Sequence, residues 1–345
     1  MARVILWASL ALAPVTILVN YLVHPGETLL FVLASLALVP LAWLIGEATE
    51  QAAEHTGPGI GGFLNATFGN APELIIALFA VGEGLTEVVR GSLTGSVVGN
   101  LLLVLGFSLL FGGRGTIDRR STFASLTLVA LSVLLFLIPA VPSWHGDHER
   151  RAIALLSLPV SAVLLVVYAA VTWVSLRRHR RLRISEPAVA RAWPLSVSLV
   201  VLGLATAATA VIAEILVHSL EAFAERVGLT DFFVAAVIVA IVGNAAEHGG
   251  AVVVAARGKI RLAAEIAVAS SAQVAVFLVP AVALLAWLIE PLALAFRVVE
   301  IVALAASVLV AAVLLADGRS SRIRGLALIG AYVAVAAAFF AAGNR

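Results

Sequence analysis

Apolar positions in this chain cluster in runs of about 20 residues, the length at which a helix crosses the hydrocarbon of a bilayer, and short polar stretches separate them. Eleven such runs are evident, near Val4 to Val23, Thr28 to Ile45, Ile60 to Val81, Ser92 to Phe111, Thr122 to Val141, Ala152 to Leu176, Trp193 to Val217, Phe232 to Ala256, Leu262 to Ile289, Ala293 to Ala316 and Ile323 to Ala342. The pattern predicts an all-α polytopic membrane protein of eleven transmembrane helices. The first run follows Arg3 in the manner of a secretory signal. Its length exceeds the usual apolar core of about 7 to 15 residues, and no small-X-small cleavage site precedes His24-Pro25, so it is kept as a span.

Two runs carry a matched polar block: Gly69-Asn70-Ala71-Pro72-Glu73 in the third and Gly243-Asn244-Ala245-Ala246-Glu247 in the eighth. Each places a carboxylate in mid-span, where an ionised group costs roughly 2.5 to 3.5 kcal/mol on insertion scales, so a chain that keeps two is using them. The glutamates are 174 residues apart, about half the chain. The match extends into the next run of each half. Ser96 and Ser270 each follow their glutamate by 23 residues, within Gly95-Ser96-Val97-Val98-Gly99-Asn100 and Ala269-Ser270-Ser271-Ala272-Gln273.

The longest polar stretch, Arg177 to Arg191, divides the chain at its midpoint. With the first run set aside, five runs precede it and five follow, and each block falls in the second run of its group. Five is odd, so the second group enters the membrane from the opposite side, and inverted repeats of this kind place substrate sites near the midplane. The predicted organisation is an N-terminal helix over residues 1–27, a five-helix repeat over 28–176, a basic cytoplasmic connector over 177–192 and an inverted five-helix repeat over 193–345.

Composition narrows the class further. Apolar residues make up 62% of the chain and charged residues 12%, against about a quarter charged in soluble domains. There is no cysteine, which removes disulfides and thiolate metal sites. Alternate assignment of loops puts 16 of the 22 basic residues on the side of the N-terminus and 6 on the other. That places the N-terminus in the cytoplasm and the C-terminus outside, and short loops with a basic inner side suit a prokaryotic inner membrane. The basic residues, all Arg except Lys259, belong to loops and give no nucleic-acid signature.

Each half therefore offers a carboxylate (Glu73, Glu247), a neighbouring carboxamide (Asn70, Asn244), and a hydroxyl with a carboxamide from the next run (Ser96 with Asn100, Ser270 with Gln273). All are oxygen donors, suited to a hard cation such as Ca²⁺ with its 6 to 8 oxygen ligands at about 2.3 to 2.6 Å. Gly69, Pro72 and Gly243 weaken the helices where backbone carbonyls would turn toward an ion. Two carboxylates neutralise one divalent ion and can equally hold two protons, since burial disfavours the charged form and a bound cation restores it. A site that crosses loaded with one or the other is an antiporter. His248 beside Glu247 is a candidate in the proton path, with a helix-packing role as the alternative. Ser271 and Asn65 fit interhelical packing better than ligation.

A second acidic tier lies at span ends: Glu47, Glu50 and Glu54 on one side, Glu214, Glu221 and Glu225 on the other. These attract cations to each mouth or form solvated faces, and Glu50 and Glu214 are the deepest. Glu83, Glu87, Glu290 and Glu300 fit plain interfacial positions. The expected activity is secondary transport by alternating access, with at least two protons per Ca²⁺, the bilayer, Ca²⁺ and protons as partners and no cofactor. Na⁺ coupling and Mn²⁺ transport stay open, as does a homo-oligomer. A passive channel is disfavoured by the paired glutamates, and an intramembrane enzyme by the absence of His-Glu-X-X-His and Gly-X-Ser-X-Gly patterns.

The stretch Gly61-Gly62-Phe63-Leu64-Asn65-Ala66-Thr67-Phe68-Gly69-Asn70-Ala71-Pro72-Glu73-Leu74-Ile75, together with Gly243-Asn244-Ala245-Ala246-Glu247-His248, resembles the two repeat signatures of the calcium/cation proton antiporter (CAX) family of the cation/calcium exchanger superfamily. The resemblance implies exchange of cytosolic Ca²⁺ for protons, with Glu73 and Glu247 as exchange carboxylates surrounded by Asn70, Asn244, Ser96, Ser270, Asn100 and Gln273. It also implies acidic residues at Glu50 and Glu214. Two departures stand out: Ala269 occupies a position where that family usually has Gly, and the connector is basic where many relatives have an acidic one.

Overall fold

The computed structural model describes residues 2–145, 151–181 and 193–343. In chain order its helices are α1 (Ile5–Val23), α2 (Glu27–Phe68), α3 (Ala71–Gly82), α4 (Thr86–Gly112), α5 (Arg119–Ser143), α6 (Arg151–Arg181), α7 (Leu195–His218), α8 (Leu220–Val227), α9 (Asp231–Gly243), α10 (Ala245–Ala256), α11 (Ile260–Leu288), α12 (Val298–Leu314) and α13 (Arg322–Ala342). The strands β1 (Gly115–Thr116) and β2 (Arg319–Ser320) form one short antiparallel ladder. Side chains start several helices at the polar joints: Asp118 accepts from the Arg120 and Ser121 amides ahead of α5, Thr230 caps α9, and Ser321 caps α13. Such caps satisfy amides that have no partner within the helix.

Among the described residues, eight helices are long and apolar enough to cross a membrane, or nine if α8 and α9, bent by 109° at their break, count as one. The sequence predicts eleven, and the difference has local causes. α2 runs without a break from Glu27 to Phe68, through the polar stretch expected to separate the second and third runs, because residues 47–54 are mostly the helix formers Glu, Ala and Gln. The third run is cut at Gly69 and Asn70, which leaves α3 only 12 residues. The tenth begins at Val298 rather than Ala293, because Pro291 and the buried segment after it are held in non-helical form.

That segment explains how extended backbone survives at depth, where every polar group needs a partner. Leu292, Ala293, Leu294, Ala295 and Phe296 are all buried. Arg90 Nη1 donates to the Ala293 carbonyl at 3.3 Å, Ser157 Oγ accepts from the Leu294 amide at 2.9 Å, and Trp144 Nε1 donates to the Phe296 carbonyl at 3.0 Å. Four residues on, Glu300 accepts from the Arg297 amide at 2.7 Å and from Thr94 Oγ1 at 3.0 Å. Glu300 is 0% exposed and Arg90 1%. The expectation that Glu300 is an interfacial residue is therefore corrected: two hydrogen-bond donors and the charge of Arg90 hold it inside the protein.

α2 and α7 pack along each other, and α3 packs on both. Trp193, at the start of the second half, is tied to α2 through Gln51 Oε1, which accepts from its amide at 3.0 Å, and through the His55 ring, 2.6 Å from its carbonyl. In the basic connector, α6 carries the helix on to Arg181, and residues 182–192 lie outside the described residues. So does the side chain of Asn65.

Candidate ion-binding site

Both polar blocks break their helices at the asparagine. Asn70 has φ −102° and ψ 16°, and Asn244 has φ −92° and ψ 4°, the same bridge conformation at positions 174 apart. Pro72 stands in the first turn of α3, where its missing amide hydrogen costs nothing. Each carboxylate then falls in the first turn of a new helix, Glu73 in α3 and Glu247 in α10, where the free amides and the helix dipole favour negative charge. The neighbouring helices are locally widened into π turns, Gly99–Val104 in α4, Val234–Val239 in α9 and Val274–Leu278 in α11, a feature frequent at functional positions.

These breaks meet. Gly243 lies so close to Glu73 that a Cβ on it would be 3.3 Å from Glu73 Cγ, and the charges of Glu73 and Glu247 act on each other directly. Asn244 Nδ2 donates to Ser96 Oγ at 2.9 Å and to its own helix at the Ala240 carbonyl. The Ser270 hydroxyl lies beside the Glu247 carboxylate. Glu73, Asn70, Asn244, Ser96 and Ser270 are buried and Glu247 is half-buried. Among the described residues, Glu73 Oε2, Glu247 Oε2, Asn244 Oδ1, Asn100 Nδ2 and His248 Nε2 are buried without a hydrogen-bond partner. Each such atom costs about 1 to 3 kcal/mol of lost solvation unless a ligand satisfies it, and three of the five are oxygens that need a proton or a cation. No group of three or more His, Cys, Asp or Glu that would hold a metal occurs among the described residues, so the donor set is the carboxylate pair with neutral oxygens around it.

A cavity of about 470 Å³ reaches Glu247, Gly243 and Gly69 from the polar end of α2, with Trp43, Glu47 and Glu50 on its wall. On the far side Glu73 and Ser96 border a void of about 10 Å³, room for one water. Next to it α4 and α9 pack tightly: a Cβ on Gly95 would fall 2.0 Å from the Ala236 carbonyl oxygen and 2.8 Å from Ala240 Cβ. Ala269, which stands 174 residues after Gly95, is exposed, so its methyl is not packed in this way.

Other predicted residues lie further out. Asn100 is buried in the π turn of α4 and Gln273 half-buried at the edge of the one in α11, and neither borders the two cavities. His248 is half-buried beside Glu247 and also stands off the cavity wall. Glu50 and Glu214, expected to be the deepest of the outer tier, are both exposed: Glu50 still lines the large cavity, whereas Glu214 does not. Glu47 has the better claim on the wall, and a sequence signal for it exists, since Glu47 and Glu221 keep the 174-residue offset while Glu50 corresponds to Ala224. Ser271 donates across helices to the Val97 carbonyl at 3.3 Å.

Fold and site together define an integral membrane protein in which two broken helices converge on a pair of carboxylates, Glu73 buried and Glu247 half-buried. The chain belongs to the sodium/calcium exchanger protein family, whose model matches residues 26–177 and 197–341. It is 36% identical to a Ca²⁺/H⁺ antiporter of Aphanothece halophytica, over 97% of this chain and 96% of that one. It is 38% identical to the Ca²⁺/H⁺ antiporter ChaA of Bacillus subtilis, over 93% and 95%. Among solved structures, native YfkE matches with a TM-score of 0.83 at 34% identity, covering 97% of this chain and 99% of that one.

Proposed function

We propose that this protein exports Ca²⁺ from the cytoplasm in exchange for protons, by alternating access at the Glu73–Glu247 pair. The observation that carries it is the set of unpartnered oxygens of Glu73, Glu247 and Asn244, buried where the two helix breaks meet. The names of the relatives, Ca²⁺/H⁺ antiporters, supply the ions. One divalent cation neutralises the pair and so do two protons, while the empty, doubly ionised pair is too costly to carry across. Ser96, Ser270, Asn70 and Asn244 complete the oxygen set, Asn100 and Gln273 stand behind it, and His248 serves the proton path. Glu47 and Glu50 draw cations into the vestibule, and Glu214 does so at the opposite mouth.

In this reading the eight long helices, α12 and two spans broken at Asn70 and Asn244, the end of α2 with α3 and α9 with α10, make up the eleven. The paired breaks at Asn70 and Asn244 support an N-terminal helix (1–27) and two inverted repeats (28–176 and 193–345) joined by the cytoplasmic connector 177–192. With the N-terminus inside, the 470 Å³ vestibule opens to the cytoplasm.

The test is ⁴⁵Ca²⁺ uptake into proteoliposomes under an imposed pH gradient. Uptake should be lost in both Glu73→Gln and Glu247→Gln while the purified variants keep their helical content. Uptake indifferent to the gradient, or a flux ratio below two protons per Ca²⁺, would refute the mechanism.

A further inference from the structure

Away from the exchange site, three loops distant in sequence fold into one platform at a single end of the bundle. The α4–α5 loop pairs with the α12–α13 loop through Gly115↔Ser320 and Thr116↔Arg319. Ser320 Oγ reinforces the ladder by donating to the Gly113 carbonyl at 2.8 Å. Ile260, from the α10–α11 turn, covers Gly115 so closely that a Cβ there would lie 2.4 Å from it. Arg261 forms an ion pair with Asp118 on the first loop.

The acidic residues here are spent on fastening. Asp118 caps α5 and holds Arg261, Glu265 lies 3.5 Å from Arg261, and Asp317 takes both Nη atoms of Arg324 at 2.6 and 2.7 Å. Arg114, Arg119, Arg120, Arg257, Lys259 and Arg322 are all exposed and form no ion pair within the described residues. Directly beside these heads the surface turns apolar: Phe111, Leu262, Ile323 and Leu326 are exposed, Ile323 by 79%.

We infer that this platform is a headgroup site for anionic phospholipid. Guanidinium groups grip phosphate through paired hydrogen bonds, and the exposed apolar side chains below them provide the surface on which acyl chains lie. A topology signal needs only a count of basic residues near the span ends. It does not need three loops tied together by a ladder, nor acidic groups committed to the loops so that six basic heads stay free. The inference rests on the membrane reading of the chain but not on which ions it exchanges.

The experiment uses the full chain in neutral detergent, with phosphatidylglycerol or phosphatidylcholine added, and reads bound lipid by native mass spectrometry. Phosphatidylglycerol should be retained about tenfold over phosphatidylcholine, with retention falling at about 0.5 M salt. The Arg114→Gln/Arg119→Gln/Arg322→Gln variant should lose most of that preference, and Arg151→Gln/Arg226→Gln, at other loops, should keep it. Equal retention of the two lipids, or a preference that survives the triple variant, overturns the site, and so does capture of inorganic phosphate or RNA with no lipid preference. If the triple variant does not fold, Arg114→Gln and Arg322→Gln singly must each lower the preference. Failure of Ca²⁺ transport would leave this result untouched.

Discussion

Asn244 Nδ2 donates to Ser96 Oγ at 2.9 Å, linking residues 148 positions apart. The bond leaves Asn244 Oδ1, a buried acceptor, with no hydrogen-bond partner. Ser96→Ala and Asn244→Ala should each weaken Ca²⁺ binding about tenfold, equivalent to about 1.4 kcal/mol. Because the two side chains share one bond, the double variant should lose clearly less than the sum of the singles. Isothermal titration in detergent measures this, and strict additivity would separate the two residues.

Ligand occupancy should appear as stability. A cation satisfying the unpartnered oxygens binds only the folded state, so free Ca²⁺ at a hundred times its dissociation constant adds about 2.7 kcal/mol. Melting temperature should rise with Ca²⁺ and return on chelation. Glu73→Gln/Glu247→Gln should show no Ca²⁺ response.

Gly95 sits where α4 touches the backbone of α9. Backbone cannot move aside as a side-chain tip can, so Gly95→Ala should force the helices apart at a cost of about 1 to 3 kcal/mol. At exposed Ala269 the reciprocal change, Ala269→Gly, should cost only helix propensity, about 1 kcal/mol. Thermal melting of the two variants distinguishes the positions; similar losses for both would show that the α4–α9 contact at Gly95 yields without strain.

The Arg90–Glu300 arrangement is buried and fully hydrogen-bonded at the carboxylate. Glu300→Leu removes the carboxylate that Arg90 faces and should destabilise by about 3 to 5 kcal/mol, whereas adding Arg90→Met should restore part of that loss, since burying one unbalanced charge costs more than burying none. Denaturation midpoints in detergent decide it.

Asp317, in the exposed loop before β2, is held well below the usual carboxylate range by Arg324, whose guanidinium takes both of its oxygens, and by the Arg319 amide. A lowered folded value means that the contribution is complete above the unfolded carboxylate value, about pH 4, and is lost as pH falls through the folded value. Amide exchange at residues 319–324 should therefore become faster, relative to the intrinsic rate, only below about pH 4. Asp317→Asn should show the faster exchange already at neutral pH.

The sequence by itself determined the helical membrane class, because runs of apolar residues at bilayer length permit little else. It also singled out residues that the fold brings together: Glu73 and Glu247 announce themselves as carboxylates in apolar runs, and the 174-residue offset carries Ser96 to Ser270. Tertiary structure decided what depends on contacts between distant segments. Glu300 reads as an ordinary span-end residue until Thr94 and Arg90 from another helix surround it. The run after Pro291 reads as helix, yet Arg90, Ser157 and Trp144 hold it extended. The packing around the two matched blocks is likewise absent from the sequence, since Gly95 and Ala269 stand at the same offset from their glutamates. Gly95 packs on the backbone of Ala236, whereas Ala269 is exposed. Local pattern fixes chemical type and span length along the chain, whereas which segments meet is a property of the packed whole.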